Sequence, residues 1–190
     1  MKLGLYGGSF DPVHLGHLLV AQAAREELGL DRILFIPAAQ SPFKPEAQPA
    51  PAQLRLRLLR LALADLPWAE VDAQETARGG ISYTIETVRE CARRFTSARL
   101  HWLIGADHVQ TLPTWREPAE LAGLVEFIVI PRPGDADVAL PKPFRGRTLR
   151  GFPLGVSSSQ IRARVKAGLS VDFLVPPAVA EEIRNSRLYL

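Results

Sequence analysis

One cysteine in 190 residues, Cys91, rules out an internal disulfide and points to a reducing compartment, for which the cytoplasm is the expected location. No apolar run approaches the roughly 18 residues expected of a membrane-spanning helix. The opening MKLGLYGG is too short and too broken by glycine to serve as a signal peptide. Internal repeats, a low-complexity tail and basic runs interleaved with aromatics are all missing, which argues against a nucleic-acid-binding module. Lysine is scarce too. Only four of the 23 basic residues are lysines, so the net charge of +3 is carried by arginine, whose planar fork suits phosphate and carboxylate oxygens.

What is present fits one domain over residues 1–190, with 47% hydrophobic residues and enough length to bury a core. KLGLYGG, DRILFIP, RLHWLIGA and VEFIVIP are short apolar runs ended by glycine or proline, and they predict buried parallel strands. AEVDAQE and TLRGFP predict two more strands. Between them, helical periodicity marks HLGHLLVAQAAREELGL (with Gly29 as its stop), AQLRLRLLRLALADL, YTIETVRECARRF, DHVQTL and PAELAGL. SSQIRARVKAG and PAVAEEIRNS follow as C-terminal helices, and residues 158–190 are expected to pack on the same domain. Residues 38–51, with Pro42, Pro45 and Pro49, predict a loop of a length usually tied to function or mobility. Residues 132–147 predict another loop, and Cys91 falls on a helix as a buried structural thiol. Alternating strands and helices predict an α/β fold, a Rossmann-like doubly wound parallel sheet with its ligand site at the carboxyl ends of the strands.

The stretch GGSFDPVHLGHLL carries the strongest chemical signal. Gly7 and Gly8 close a strand, Pro12 turns the chain, and His14 and His17 lie three apart, a spacing that puts both on one helix face. Three readings compete for the histidines: ligands of a metal, packing at a helix start, or clamps on an anion. The positive end of the helix dipole repels a cation, and no cysteine or second histidine cluster lies nearby in sequence. The anion clamp is the reading the surroundings favour. Further on, VSSSQIR places Ser157 three residues before Gln160, the spacing of a capping box that would open a second helix N-terminus beside Arg162.

GSFDPVHLGH matches the GxFDPxHxGH signature of the nucleotidyltransferase superfamily at every fixed position, and VSSSQIR resembles its second signature with Val156 and Ser159 as mild changes. Together with RGGISYTIETV, WLIGADHVQTLPTW and the ending LSVDFLVPPAVAEEIRNSRLYL, these residues resemble the bacterial nicotinate-nucleotide adenylyltransferases over essentially the whole chain. The resemblance implies transfer of AMP from ATP to nicotinate mononucleotide, with magnesium arriving on the ATP and no metal held by protein side chains. It implies catalytic roles for His14, His17, Lys44 and Arg162. Gly8, Ser9, Phe10, Gly105, Asp107, Ser157 and Ser158 would join the two histidines and Arg162 in binding ATP, with Asp107 alternatively a plain helix cap. Ser82, Tyr83, Thr84 and Trp115 would hold the mononucleotide. A helix N-terminus at residues 82–84 favours a carboxylate over a carboxamide. A nicotinamide or dual-specificity transferase and a nucleotide-binding regulator without turnover are the alternatives, and a homo-oligomer is compatible with all three. One position departs from the family pattern: SPFKP places Phe43 where a histidine is usual, while Lys44 is kept.

Overall fold

The computed structural model describes residues 1–43, 46, 48–131, 138–151 and 154–190. Six strands form one parallel sheet: β1 (Lys2–Gly8), β2 (Arg32–Pro37), β3 (Ala69–Val71), β4 (Arg99–Gly105), β5 (Val125–Ile130) and β6 (Gly146–Thr148). Their order is β3-β2-β1-β4-β5-β6, so the chain winds outward from β1 in one direction and then, starting at β4, in the other. The register pairs Tyr6 with Phe35 on one side of β1 and with Leu103 on the other. Successive side chains on a strand point to opposite faces, and this period-two alternation sorts the core into two layers. Tyr6, Ile33, Phe35, Leu103 and Ile128 face one layer. Leu5, Leu34, Ile36, Trp102, Ile104 and Phe127 face the other.

Helices cover both layers. The first receives α1 (Leu15–Leu28), α2 (Ala52–Leu63), α7 (Ser158–Lys166) and α8 (Pro177–Asn185) through Val20, Leu59, Ile161 and Val179. The second receives α4 (Thr84–Arg94), α5 (Ala106–Val109) and α6 (Pro118–Leu124) through Val88, Val109 and Leu121. With both faces covered, the central strands bury every residue of Ile33–Ile36 and read as continuous apolar runs rather than alternating ones. Gly29 caps α1 in the left-handed conformation, the stop the sequence indicates. Cys91 is buried in α4, where Gln74 donates to its sulfur and burial pushes the thiol up to about 11. Among the described residues no helix is long and apolar enough to cross a membrane.

Three expectations about local structure need correction. The strand expected over AEVDAQE ends at Val71, and a short helix, α3 (Gln74–Arg78), replaces its second half. The Asp72 carboxylate accepts the Gln74 amide at 3.0 Å and turns the chain into that helix. The last strand lies at Gly146–Thr148, starting in the last two residues of the segment expected to be a loop and reaching only the first residue of TLRGFP. It stops because the amides of Arg150 and Gly151 leave the ladder to donate to Glu27 of α1. DHVQTL divides into α5 and a 3-10 turn at Leu112–Thr114, where the Thr111 hydroxyl donates to the His108 carbonyl at 2.8 Å.

Candidate active site

The sheet reverses its winding between β1 and β4, and both strands end in glycine at the crevice this opens. From Gly8 the chain passes through Ser9 and Phe10, the latter fully buried with a left-handed φ of 46°. Phe10 meets the rings of Tyr6 at 5.4 Å and His17 at 5.0 Å, so it forms an apolar floor behind the histidine. His14 is not helical as its spacing suggested. It is the extended N-cap of α1 (φ −146°, ψ 170°), with His17 in the first turn, and the cap turn brings their ring centroids to 3.7 Å. The His14 amide donates to Nδ1 of His17 at 3.1 Å, which leaves the proton of a neutral His17 on Nε2.

Burial decides the charge of this pair. His14 is 6% exposed and its Nδ1 has no partner among the described residues, and desolvation pushes its pKa down to about 4. Desolvation also holds His17 well below its ordinary value, and a charge on His14 would lower it further. Both rings are therefore neutral at pH 7, each with one N–H to donate. Gly16 makes room for them: a Cβ there would lie 3.0 Å from Nδ1 and 3.1 Å from Cε1 of His14.

The second sequence motif closes onto the first. Ser157 and Gln160 form the expected reciprocal cap of α7. The Ser158 hydroxyl donates to the Pro12 carbonyl at 2.8 Å, and Arg162 donates to the Asp11 carbonyl at 2.7 Å. Asp11, itself buried, also accepts the Tyr189 hydroxyl at 2.8 Å. These bonds place the N-termini of α1 and α7 on one cavity of about 770 Å³, lined by Ser9, Phe10, His14, His17, Asp107, Ser157, Ser158 and Arg162 among others. Gly105 stands at its edge with Asp107. A Cβ on Gly105 would come within 2.6 Å of the Asp107 carboxylate, and that carboxylate also lies 3.6 Å from His108 Nε2.

A smaller cavity of about 210 Å³ adjoins it across Gly7, Ser9, Phe43, Gly105 and His108. Ser82, Thr84, Trp102 and Trp115 complete its wall, with buried Glu75 behind them. Ser82 ties α4 to the end of β2 by accepting the Ala39 amide at 3.0 Å. Burial raises the Glu75 pKa, opposed by hydrogen bonds from the hydroxyls of Thr87 and Ser82 and by the charge of Arg78. Trp115 is half-buried and fixed by its Nε1 donating to Thr111 Oγ1 at 3.1 Å. Tyr83 is the N-cap of α4, but its ring packs under Arg116 at 4.7 Å and is not part of the cavity wall.

The crevice thus gathers every proposed site residue except Tyr83, whose ring turns away, and Lys44, which lies outside the described residues. Three contributors escaped the sequence reading. His108, outside both sequence motifs, lines both cavities. Arg55, one of several arginines on an amphipathic helix, is buried and donates to the carbonyls of Ser9, Ala38 and Ala50. Tyr189 reaches Asp11 from 178 residues away. Helix α2 gave one usable signal: Arg55 lies on its apolar side, in phase with Leu58, Leu59 and Leu63. Chemically, two helix N-termini, neutral imidazoles and a guanidinium suit a chain of phosphates. The aromatic-walled recess suits a flat ring.

The model of the cytidylyltransferase-like family matches residues 5–164. The chain is 43% identical over 192 residues to a probable nicotinate-nucleotide adenylyltransferase of Opitutus terrae, covering 100% of this chain and 98% of that protein. It is 41% identical to the probable nicotinate-nucleotide adenylyltransferase of Thermus thermophilus, covering 100% of both. Its fold is similar to Plasmodium falciparum nicotinic acid mononucleotide adenylyltransferase complexed with NaAD, with a TM-score of 0.81 at 17% identity over 99% of this chain and 97% of that one.

Proposed function

The chain belongs to the cytidylyltransferase-like family, among its nicotinate-nucleotide adenylyltransferases, and on that premise we propose how its two joined cavities carry AMP from ATP to nicotinate mononucleotide. The products are deamido-NAD and pyrophosphate. The observation that carries the reading is the junction itself: a phosphate-binding cavity and an aromatic recess meet where β1 and β4 part.

In the reaction, a phosphate oxygen of the mononucleotide attacks the α-phosphorus of ATP. A new P–O bond forms, the α–β bridging bond breaks, and its electrons leave with pyrophosphate. The attacking phosphate is already ionised at neutral pH, so no general base is required. The protein's work is positioning and charge stabilisation. On this reading His14 and His17 donate N–H bonds to phosphate oxygens as charge builds in the transition state, and Arg162 with the α7 N-terminus supports the departing pyrophosphate. Lys44 adds a further cation, and Asp107 beside Gly105 holds the adenosine ribose. The N-terminus of α4, where Thr84 lines the recess, receives the ring carboxylate while Trp115 stacks on the pyridine.

Magnesium belongs to this scheme as the counter-ion of ATP, neutralising phosphate charge. Among the described residues no group of three His, Cys, Asp or Glu side chains is placed for a metal. Pyrophosphate release measured separately with nicotinate and nicotinamide mononucleotide tests the assignment. Charge-assisted bonds to the carboxylate should favour the acid roughly ten- to a hundredfold in kcat/KM. Equal efficiency on the two would overturn the carboxylate-recognition reading.

A further inference from the structure

The recess assigned to the pyridine ring already contains a ring. Phe43, on the loop after β2, stacks on His108 with centroids 4.7 Å apart and planes 29° from parallel. It also leans on Trp115, at 5.4 Å and 43°. A flat ligand ring between Phe43 and Trp115 needs about 3.5 Å on each face, hence a separation of about 7 Å. The present spacing does not admit one. Either Phe43 or Trp115 must move, and their attachments differ. The Trp115 indole is tied to Thr111, whose hydroxyl in turn donates to the His108 carbonyl. Phe43 is 45% exposed, and the Phe43 amide has a 3.3 Å bond to the hydroxyl of Ser41, two residues away on the same loop.

We propose that Phe43 is an affinity-determining residue for the mononucleotide: it occupies the face of Trp115 that the pyridine ring needs, and binding requires its displacement. The inference rests on the reading of the recess given above. It follows that apparent affinity is reduced by the fraction of molecules whose slot is filled by Phe43. An aromatic pair of this kind corresponds to a factor of about two to ten in that equilibrium. The ring contacts of Phe43 are with His108 and Trp115, which meet the flat face of the ligand ring rather than its substituent, so it should weigh equally on acid and amide mononucleotides.

Isothermal titration of the full chain with nicotinate mononucleotide and, separately, with ATP tests this in the parent, Phe43→Ala and Phe43→His. Phe43→Ala should bind the mononucleotide about two- to tenfold more tightly, with the ATP Kd changed less than twofold. Phe43→His, a smaller and more polar ring, should fall between. Acrylamide quenching of the Trp115 emission, assigned by difference from Trp115→Phe, should rise in Phe43→Ala with no substrate present. Unchanged or weaker mononucleotide binding by Phe43→Ala, against a parent that binds it, overturns the inference alone, because Phe43 would then be a bystander or a second wall for the ring. A parent that does not bind nicotinate mononucleotide overturns the functional reading and this inference with it, while the quenching difference would still report the Phe43–Trp115 contact.

Discussion

Replacing His14 by Asn should remove a defined part of the protein's sensitivity to acid. In the unfolded chain His14 titrates near 6.5, whereas burial in the folded protein pushes it down to about 4. Between those values the unfolded state takes up a proton that the folded state refuses. Stability is therefore fully present above about pH 6.5 and falls as the pH drops toward 4. At pH 5 the loss from this one residue is about 2 kcal/mol relative to pH 7.5, and its limit below pH 4 is about 3 kcal/mol. Asparagine is close in size, polar and does not titrate. His17 and His101 are also held low by burial and stay in the variant, so its acid loss shrinks without vanishing. Urea unfolding followed by circular dichroism at pH 7.5 and pH 5 reads the effect directly. With a slope of about 1–3 kcal/mol per molar urea, the midpoint drop between the two pH values should be smaller in the variant by about 1 M. Equal drops in parent and variant would show that His14 is charged or solvated in the folded protein, and the neutral-donor account of the site would fail with it.

His17→Ala should lower kcat by about a hundredfold or more, as loss of a preorganised donor does, while the Kd for ATP changes far less; near-parent turnover would refute the clamp. Gly16→Ala should lower turnover at least tenfold by pressing a methyl group against the His14 ring, yet leave thermal stability equal or higher because alanine is favoured over glycine in a helix by up to about 1 kcal/mol. Full activity in that variant would mean that the ring has room to shift. Arg55→Met strips three carbonyls of their donor and should cost about 3 kcal/mol, or roughly 6–12 °C in Tm for a chain of this size. A change under about 2 °C by calorimetry would contradict the role given to that guanidinium.

The fold was legible wherever local pattern and burial agree. Ile33–Ile36 are apolar because both faces of β2 are covered, and that same run is what marks the strand in the sequence. The two helix starts were legible for a similar reason: Gly, Pro, Ser and Gln act on their own near neighbours, and the Ser157–Gln160 cap closes over three residues. Features decided by distant partners were not. Nothing local in TLRGFP announces that Glu27 will draw Arg150 and Gly151 off the sheet. Nothing in the last residues of the chain announces that Tyr189 will meet Asp11. Helix α3 was lost because Glu75 is polar by type and buried in fact, held by hydroxyls from the next helix. The position of Phe43 was visible as an exception to a family pattern, but its stacking on His108 depends on the loop after β2 meeting α5 across the crevice.

The three carbonyls gathered by Arg55 have a consequence for how this protein tolerates change. Ala38 and Ala50 are the two feet of the loop that follows β2, and one guanidinium holds both, together with Ser9 of the first motif. A span pinned at its feet answers to the logarithm of its length: doubling the residues between the pins adds only about 0.6 kcal/mol of closure cost. Insertions and deletions between Ala38 and Ala50 are thus cheap for the fold, provided that Arg55 keeps its grip. The segment between these two pins is then open to variation in length and composition, while the strand ends that they anchor stay in register.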